Sequence, residues 1–220
     1  KQNNLVVVNG LKNKIATLSK NGEHSNFEII GGEGNTAIQV AASQNVKNEG
    51  SIKLTDATSS TAIASRGVVN KAGVVIPAAI KNEGNITVEG KSTKALHAYA
   101  DGEIVNVGEI KFFGDTSSTN IGASAIYSNA GGKIESTGKS DITVSGTKSV
   151  GLFAQNTGTN SKFLNTSTIK MSNANITAKN GAFNVFANKG GEITLNENNV
   201  LNTENQSLTF YTNYSQAAPG

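Results

Sequence analysis

The chain has 220 residues with no Cys, no Trp, one Met and two Pro; 36% of positions are hydrophobic, 5% aromatic and 16% charged. Asn occurs 29 times and Ser plus Thr 42 times; with no Cys a disulfide scaffold, a thiolate metal site and a Cys nucleophile are excluded, and both apolar and charged contents fall below those of an ordinary compact enzyme. The net charge of +3 comes from singly scattered Lys with Arg66 as the sole Arg, a solubility pattern and not the clustered Arg face of a nucleic-acid binder.

Residues 1–35 read as a degenerate coil that ends on Gly31-Gly32-Glu33-Gly34-Asn35. That stretch predicts a turn. It lacks the strand-to-helix setting of a phosphate loop and the Asp and following apolar residue of calcium-binding nonapeptide repeats. A repeat then begins. Its first segment reads Ala37-Ile38-Gln39-Val40, Ala62-Ile63-Ala64-Ser65, Ala95-Leu96-His97-Ala98, Ala125-Ile126-Tyr127-Ser128, Gly151-Leu152-Phe153-Ala154 and Ala182-Phe183-Asn184-Val185. The starts differ by 25, 33, 30, 26 and 31 residues, a mean of 29. A second segment follows at Val46–Gly50, Ile80–Gly84, Ile104–Gly108, Ile134–Gly138 and Phe163-Leu164-Asn165. A third follows at Ile52–Leu54, Ile86–Val88, Ile110–Phe112, Ile142–Val144 and Ile169–Met171.

Each segment alternates with period two, the mark of a half-buried strand, and nothing sustains a helical period. Three short strands per 29 residues, joined by Gly, Asn and Ser turns, predict an all-β parallel β-helix with one coil per repeat. The whole of 1–220 reads as one segment of such a rod, cut from a longer chain, with 1–35 and 191–220 as degenerate coils. The longest apolar run, Val74 to Ile80, is broken by Pro77, far from the ~20 residues of a membrane helix. No insertion into a membrane by this segment is expected.

Alternation assigns the sides. Ile63/Ser65, Leu96/Ala98, Ile126/Ser128 and Leu152/Ala154 should point inward, as should the paired apolar residues of the third segment. Between the latter lies an outward column of Lys53, Thr87, Lys111, Thr143 and Lys170, which keeps Lys on alternate rungs. The second segment turns Asn48, Asn82, Asn106, Ser136 and Asn165 inward. A buried amide without a partner costs about 1–3 kcal/mol, so a ladder of stacked side chains is predicted there. Asn before Gly is equally suited to a turn.

Little chemistry is offered. His24 and His97 sit in different coils, so no metal cluster or cofactor is expected. Asp56–Thr61 and Asp115–Thr119 read as turns. Glu109 and Asp141 fall on neighbouring coils, as a glycoside-cleaving carboxylate pair would, but Lys111 lies beside them and no third acid joins. The outward face of the first segment is richer. One column reads Gln39, Ala64, His97, Tyr127, Phe153, Asn184, and its neighbour Ala41, Arg66, Tyr99, Asn129, Gln155, Phe186. Arg66, His97, Tyr99, Tyr127 and Phe153 are therefore the candidate binding residues, since a contiguous exposed aromatic patch marks an interaction site. Rings can equally serve to cover a sheet or lie beneath the apolar insertion from Gly67 to Ala79.

Units such as Ala125–Ile134, Ser140–Val144 and Gly151–Asn156 resemble the passenger regions of type V autotransporters, with the flavour of the large fusobacterial autotransporter adhesins. The resemblance covers residues 36 to 195 and carries no invariant catalytic or binding motif. It implies a right-handed parallel β-helix secreted through an outer-membrane barrel, displayed on a bacterial surface and adhering to a host or partner cell through a surface protein or glycan. No catalysis is expected of the segment, and a rod whose edges are covered is expected to be a monomer. A carbohydrate-active β-helix enzyme and an inert stalk are the alternatives.

Overall fold

The computed structural model describes residues 26–42, 46–116, 122–156 and 165–213, together with the backbone of 4–9, 16–20 and 23–24. Three stacked sheets form its body. The first takes Asn4–Asn9, Thr36–Ala41, Thr61–Arg66, Lys94–Tyr99, Ser124–Asn129, Val150–Gln155, Phe183–Asn188 and Leu208–Asn213 in that order. The second takes Ala16–Lys20, Val46–Asn48, Ala78–Asn82, Gly102–Asn106, Lys133–Ser136, Thr168–Met171 and Glu192–Leu195, plus Glu23–His24 paired antiparallel at one edge. The third takes Phe27–Ile30, Ile52–Thr58, Ile86–Lys91, Ile110–Asp115, Ser140–Ser145, Ala174–Lys179 and Val200–Thr203. Every strand of a coil pairs in parallel with its counterpart on the next coil, 25 to 33 residues on in the first sheet. This is a parallel β-helix of seven coils, with an eighth strand on the first sheet. Its right-handed sense is the one that crossovers between parallel strands adopt.

The core follows the alternation. Ile38, Ile63, Leu96, Ile126 and Leu152 form one fully buried column of the first sheet. Ile80, Ile104, Ile134 and Ile169 form one in the second, and Ile52, Ile86 and Ile110 one in the third. Each such side chain contributes about 2–3 kcal/mol by leaving water, and only stacking provides the cover. At the start of the five first-sheet strands from Thr36–Ala41 to Val150–Gln155 two successive positions face inward. The extra one is small, as in Ala37, Ala62, Ala95, Ala125 and Gly151.

The predicted amide ladder is present. Asn48 Nδ2 donates to Asn82 Oδ1 at 2.7 Å, Asn82 Nδ2 to Asn106 Oδ1 at 2.7 Å, and Asn106 Nδ2 to Ser136 Oγ at 3.0 Å. Each amide also donates to the carbonyl two residues on, at Gly50, Gly84 and Gly108. All four side chains are fully buried. One NH2 group has two protons to give and so serves both bonds, whereas none of Asn48, Asn82 and Asn106 has the positive φ that a left-handed turn before Gly would need.

Three register expectations need correction. The rung after Ser136 is Met171, so Ile169–Met171 belongs to the second sheet and not the third. Asn165 is exposed and donates to Asp101 Oδ1 at 2.9 Å, while Phe163 and Leu164 lie outside the described residues. The third sheet takes Ala174–Lys179 in their place. Within that sheet Phe112 pairs with Ile142 and Lys111 with Asp141, a slip of two residues that ends the predicted Lys column at Lys111. Finally, Asn184 does not face outward. It is fully buried and donates to Asn202 O at 2.8 Å, and Phe186 takes the rung beyond Phe153.

The Asp56–Thr61 segment is also more strand than turn. The strand runs to Thr58 with a register shift against Val88–Gly90 and a positive φ of 52° at Asp56, and the chain turns at Ser59. Of the matching Asp115–Thr119 segment, residues 117–119 lie outside the described residues. Among the described residues no helix is long and apolar enough to cross a membrane.

Candidate functional site

The outward wall of the first sheet brings all five candidate residues together on four successive strands, Thr61–Arg66 through Val150–Gln155. His97, Tyr127, Phe153 and Phe186 occupy one register column. Because parallel strands repeat at about 4.8 Å, planar side chains in one column can lie flat upon each other. They do so here. Ring centroids are 4.7 Å apart for His97–Tyr127, 4.9 Å for Tyr127–Phe153 and 4.9 Å for Phe153–Phe186, with interplanar angles of 14°, 17° and 6°. Tyr211 closes the column edge-on at 5.0 Å, and Phe183 tilts against both Phe186 and Tyr211. At the other end Tyr99 stacks on His97 at 4.6 Å. Aromatic pairs of this kind contribute about 0.5–1.5 kcal/mol each beyond burial, so the rings brace the wall as well as decorate it.

Polar groups tie the stack to the neighbouring column. His97 Nε2 lies 3.0 Å from Asn129 Oδ1, Gln155 Nε2 donates to Tyr127 Oη, and Asn188 Nδ2 reaches Gln155 Oε1 at 3.5 Å. Lys94 stands 5.9 Å over the Tyr127 ring. Burial holds Lys94 below the usual lysine range and pushes the Tyr127 phenol up. His97 is lowered to about 4, first by burial and then by the Lys94 charge, against which the Asn129 bond acts weakly. It is thus not an ordinary surface imidazole.

A prediction follows from the sign of that shift. His97 is neutral in both folded and unfolded chains above pH 6.5, so its contribution is intact there. As pH falls from 6.5 towards 4 the unfolded chain takes the proton first, and stability drops by up to about 3 kcal/mol. His97→Phe keeps a ring in the stack and removes this component. Urea unfolding midpoints of the two proteins at pH 7, 5 and 4 should diverge as acid is added; parallel decline would refute the assignment.

The aromatic column stops at Ala64, the rung before His97, with Gln39 on the rung before that. There the wall opens into a depression of about 420 Å³. Arg66, His97 and Tyr99 line it, joined by Thr36, Thr61 and Gln39. The sequence reading missed Thr36, Thr61 and Lys94, which sit at the strand starts and point outward despite the apolar residues that follow. It also missed the continuation through Phe186, although Val185-Phe186-Ala187-Asn188 copies Leu152-Phe153-Ala154-Gln155. Val68–Val69 and Val75–Ile76 pair with each other as a small hairpin, and none of their residues lines the depression.

Glu109 and Asp141 are two residues out of register. Each lies beside its own lysine, Glu109 with Lys111 at 3.7 Å and Asp141 with Lys139 at 3.6 Å. Among the described residues no group of three His, Cys, Asp or Glu could hold a metal ion.

The fold and this wall define a parallel β-helix with one aromatic face. Comparison with protein-family models, with curated proteins and with solved structures gives no match for the chain.

Proposed function

We propose that this β-helix is a passenger segment of a bacterial surface-displayed autotransporter adhesin, and that it meets its cell-surface partner through the first-sheet wall. The observation that carries the reading is the concentration of rings. Six of the seven rings in mutual contact come from the chain's twelve Phe and Tyr, and all stand on one wall. The other two walls present mostly Lys, Glu, Thr and Asn, with Phe113 as a single exposed ring among the described residues and ion pairs such as Lys47–Glu83 and Lys53–Glu28. Such exposed pairs add little stability but keep those walls hydrated. The repeat style resembling fusobacterial adhesins supports surface display. The lack of Cys suits export through a periplasm, where a disulfide could obstruct passage.

The test is attachment. The purified segment should bind partner cells and compete with a longer form of the protein, and the double variant Tyr127→Ala, Phe153→Ala should bind at least fivefold less while retaining its β-sheet circular dichroism. Unchanged attachment by the folded double variant would refute a role for the wall. A segment that neither attaches nor competes would be an inert stalk.

A further inference from the structure

We propose that the depression at the end of the aromatic stack is a subsite for a carboxylate-bearing sugar unit of a glycan. This deepens the adhesive reading and rests on it for its setting, but the chemistry is carried by the depression itself.

Ala64 makes the space. On the rungs that follow, the same register position carries a ring, and a methyl group here leaves the column open. The resulting volume of about 420 Å³ is within the range of small-ligand sites. The lining is unlike the rest of the rod. Thr36 and Thr61 bring hydroxyls and Gln39 an amide, Tyr99 brings a ring, Arg66 a guanidinium, and no carboxylate contributes.

Arg66 is the decisive group. Among the described residues Lys47, Lys53, Lys81, Lys111, Lys139 and Lys179 each lie within 4 Å of a carboxylate, whereas lysines outside the depression such as Lys91, Lys133 and Lys170 do not. Arg66 has no such partner among the described residues, and it is exposed. An unpaired guanidinium offers a planar fork that fits a carboxylate with two parallel hydrogen bonds. The ring of Tyr99 is half-buried with His97 stacked upon it, so it stands braced where the depression begins. A sugar presents an apolar C–H face for a ring, hydroxyls for Thr and Gln, and, in a hexuronic acid, a carboxylate for Arg. A bare anion would leave the ring and hydroxyls unused, and a neutral sugar would leave the guanidinium unused.

The test is a chemical-shift titration of the segment with glucuronate, methyl β-glucuronide, glucose and acetate at millimolar concentrations. Glucuronate and its methyl glycoside should bind equally, and at least tenfold more tightly than glucose or acetate. Arg66→Gln, an exposed change that leaves the core intact, should weaken glucuronate at least tenfold. Tyr99→Ala should weaken it at least threefold. Acetate binding as tightly as glucuronate would reduce the site to an anion contact and overturn the proposal. So would unaltered affinity in Arg66→Gln, or no binding of glucuronate. Binding of free glucuronate without its glycoside would overturn the glycan assignment. Cell attachment measured on the same preparations separates the two readings: a segment that ignores glucuronate yet attaches through Tyr127 and Phe153 loses only this subsite.

Discussion

Gly84→Ala should destabilise the protein by about 3–5 kcal/mol, a cost at the upper end for single substitutions. A Cβ on Gly84 would lie 1.9 Å from the Gly50 carbonyl oxygen and 2.6 Å from its carbon, with Asn48 Nδ2 at 3.1 Å. Backbone cannot step aside as a flexible side chain does. The same contact recurs up the corner, where Gly108 would meet Gly84 O at 2.1 Å and Gly138 would meet Gly108 O at 2.1 Å. A methyl here therefore wedges one coil from the next at the very carbonyls that accept from the amide ladder. Gly31→Ala is the control. It has open space around it but a φ of +65°, so it should cost only the ~1–2 kcal/mol of a left-handed alanine. Urea midpoints rank the two, and a Gly84→Ala protein as stable as Gly31→Ala would contradict the stacking of coils at this corner.

Asn82→Leu is expected to cost about 3–5 kcal/mol, although it swaps a polar residue for an apolar one of similar size in the core. Asn82 is the middle of the ladder. Its loss leaves Asn106 Oδ1 and Gly84 O without the donors they have, and takes an acceptor from Asn48 Nδ2. Each buried group so stranded costs about 1–3 kcal/mol. Asn82→Asp should be no better, because a carboxylate can still accept from Asn48 but cannot donate to Asn106. Asn48→Ala should cost less than either. Its Oδ1 already lacks a partner among the described residues, so fewer groups lose one. Equal midpoints for the three variants would argue against a connected ladder.

The regular coils were legible in the sequence because two periodicities agreed there. Alternation named the inward faces of Ile63, Leu96, Ile126 and Ile86, and the recurring Asn-x-Gly placed Asn48, Asn82 and Asn106 in one column. Legibility failed where the repeat changed length. Twelve residues separate Gln155 from Thr168 where three separate Asn129 from Lys133, and Asn165 among them imitates the ladder residue. The true rung is Met171, an apolar residue in a position that Asn had marked. Ile176-Thr177-Ala178 echoes Ile142-Thr143-Val144 and held the clue to the third sheet. The stack was half visible. Its columns followed from alternation, but alternation cannot tell a ring that lies open from one covered by its neighbours, and that distinction sets the state of His97. The column Gln39, Ala64, His97 showed where the rings end, but not the space that this leaves beside Arg66 and Tyr99.

The parallel pairing of every coil with the next aligns the interstrand hydrogen bonds with the long axis of the rod. Tension between its two ends would therefore load one lap's bonds at a time instead of shearing many at once. A terminal lap would peel away while the remainder held, releasing 25 to 33 residues, or roughly 85–110 Å of extended chain. A rod built this way lengthens in steps under load, each step dissipating the energy of one lap.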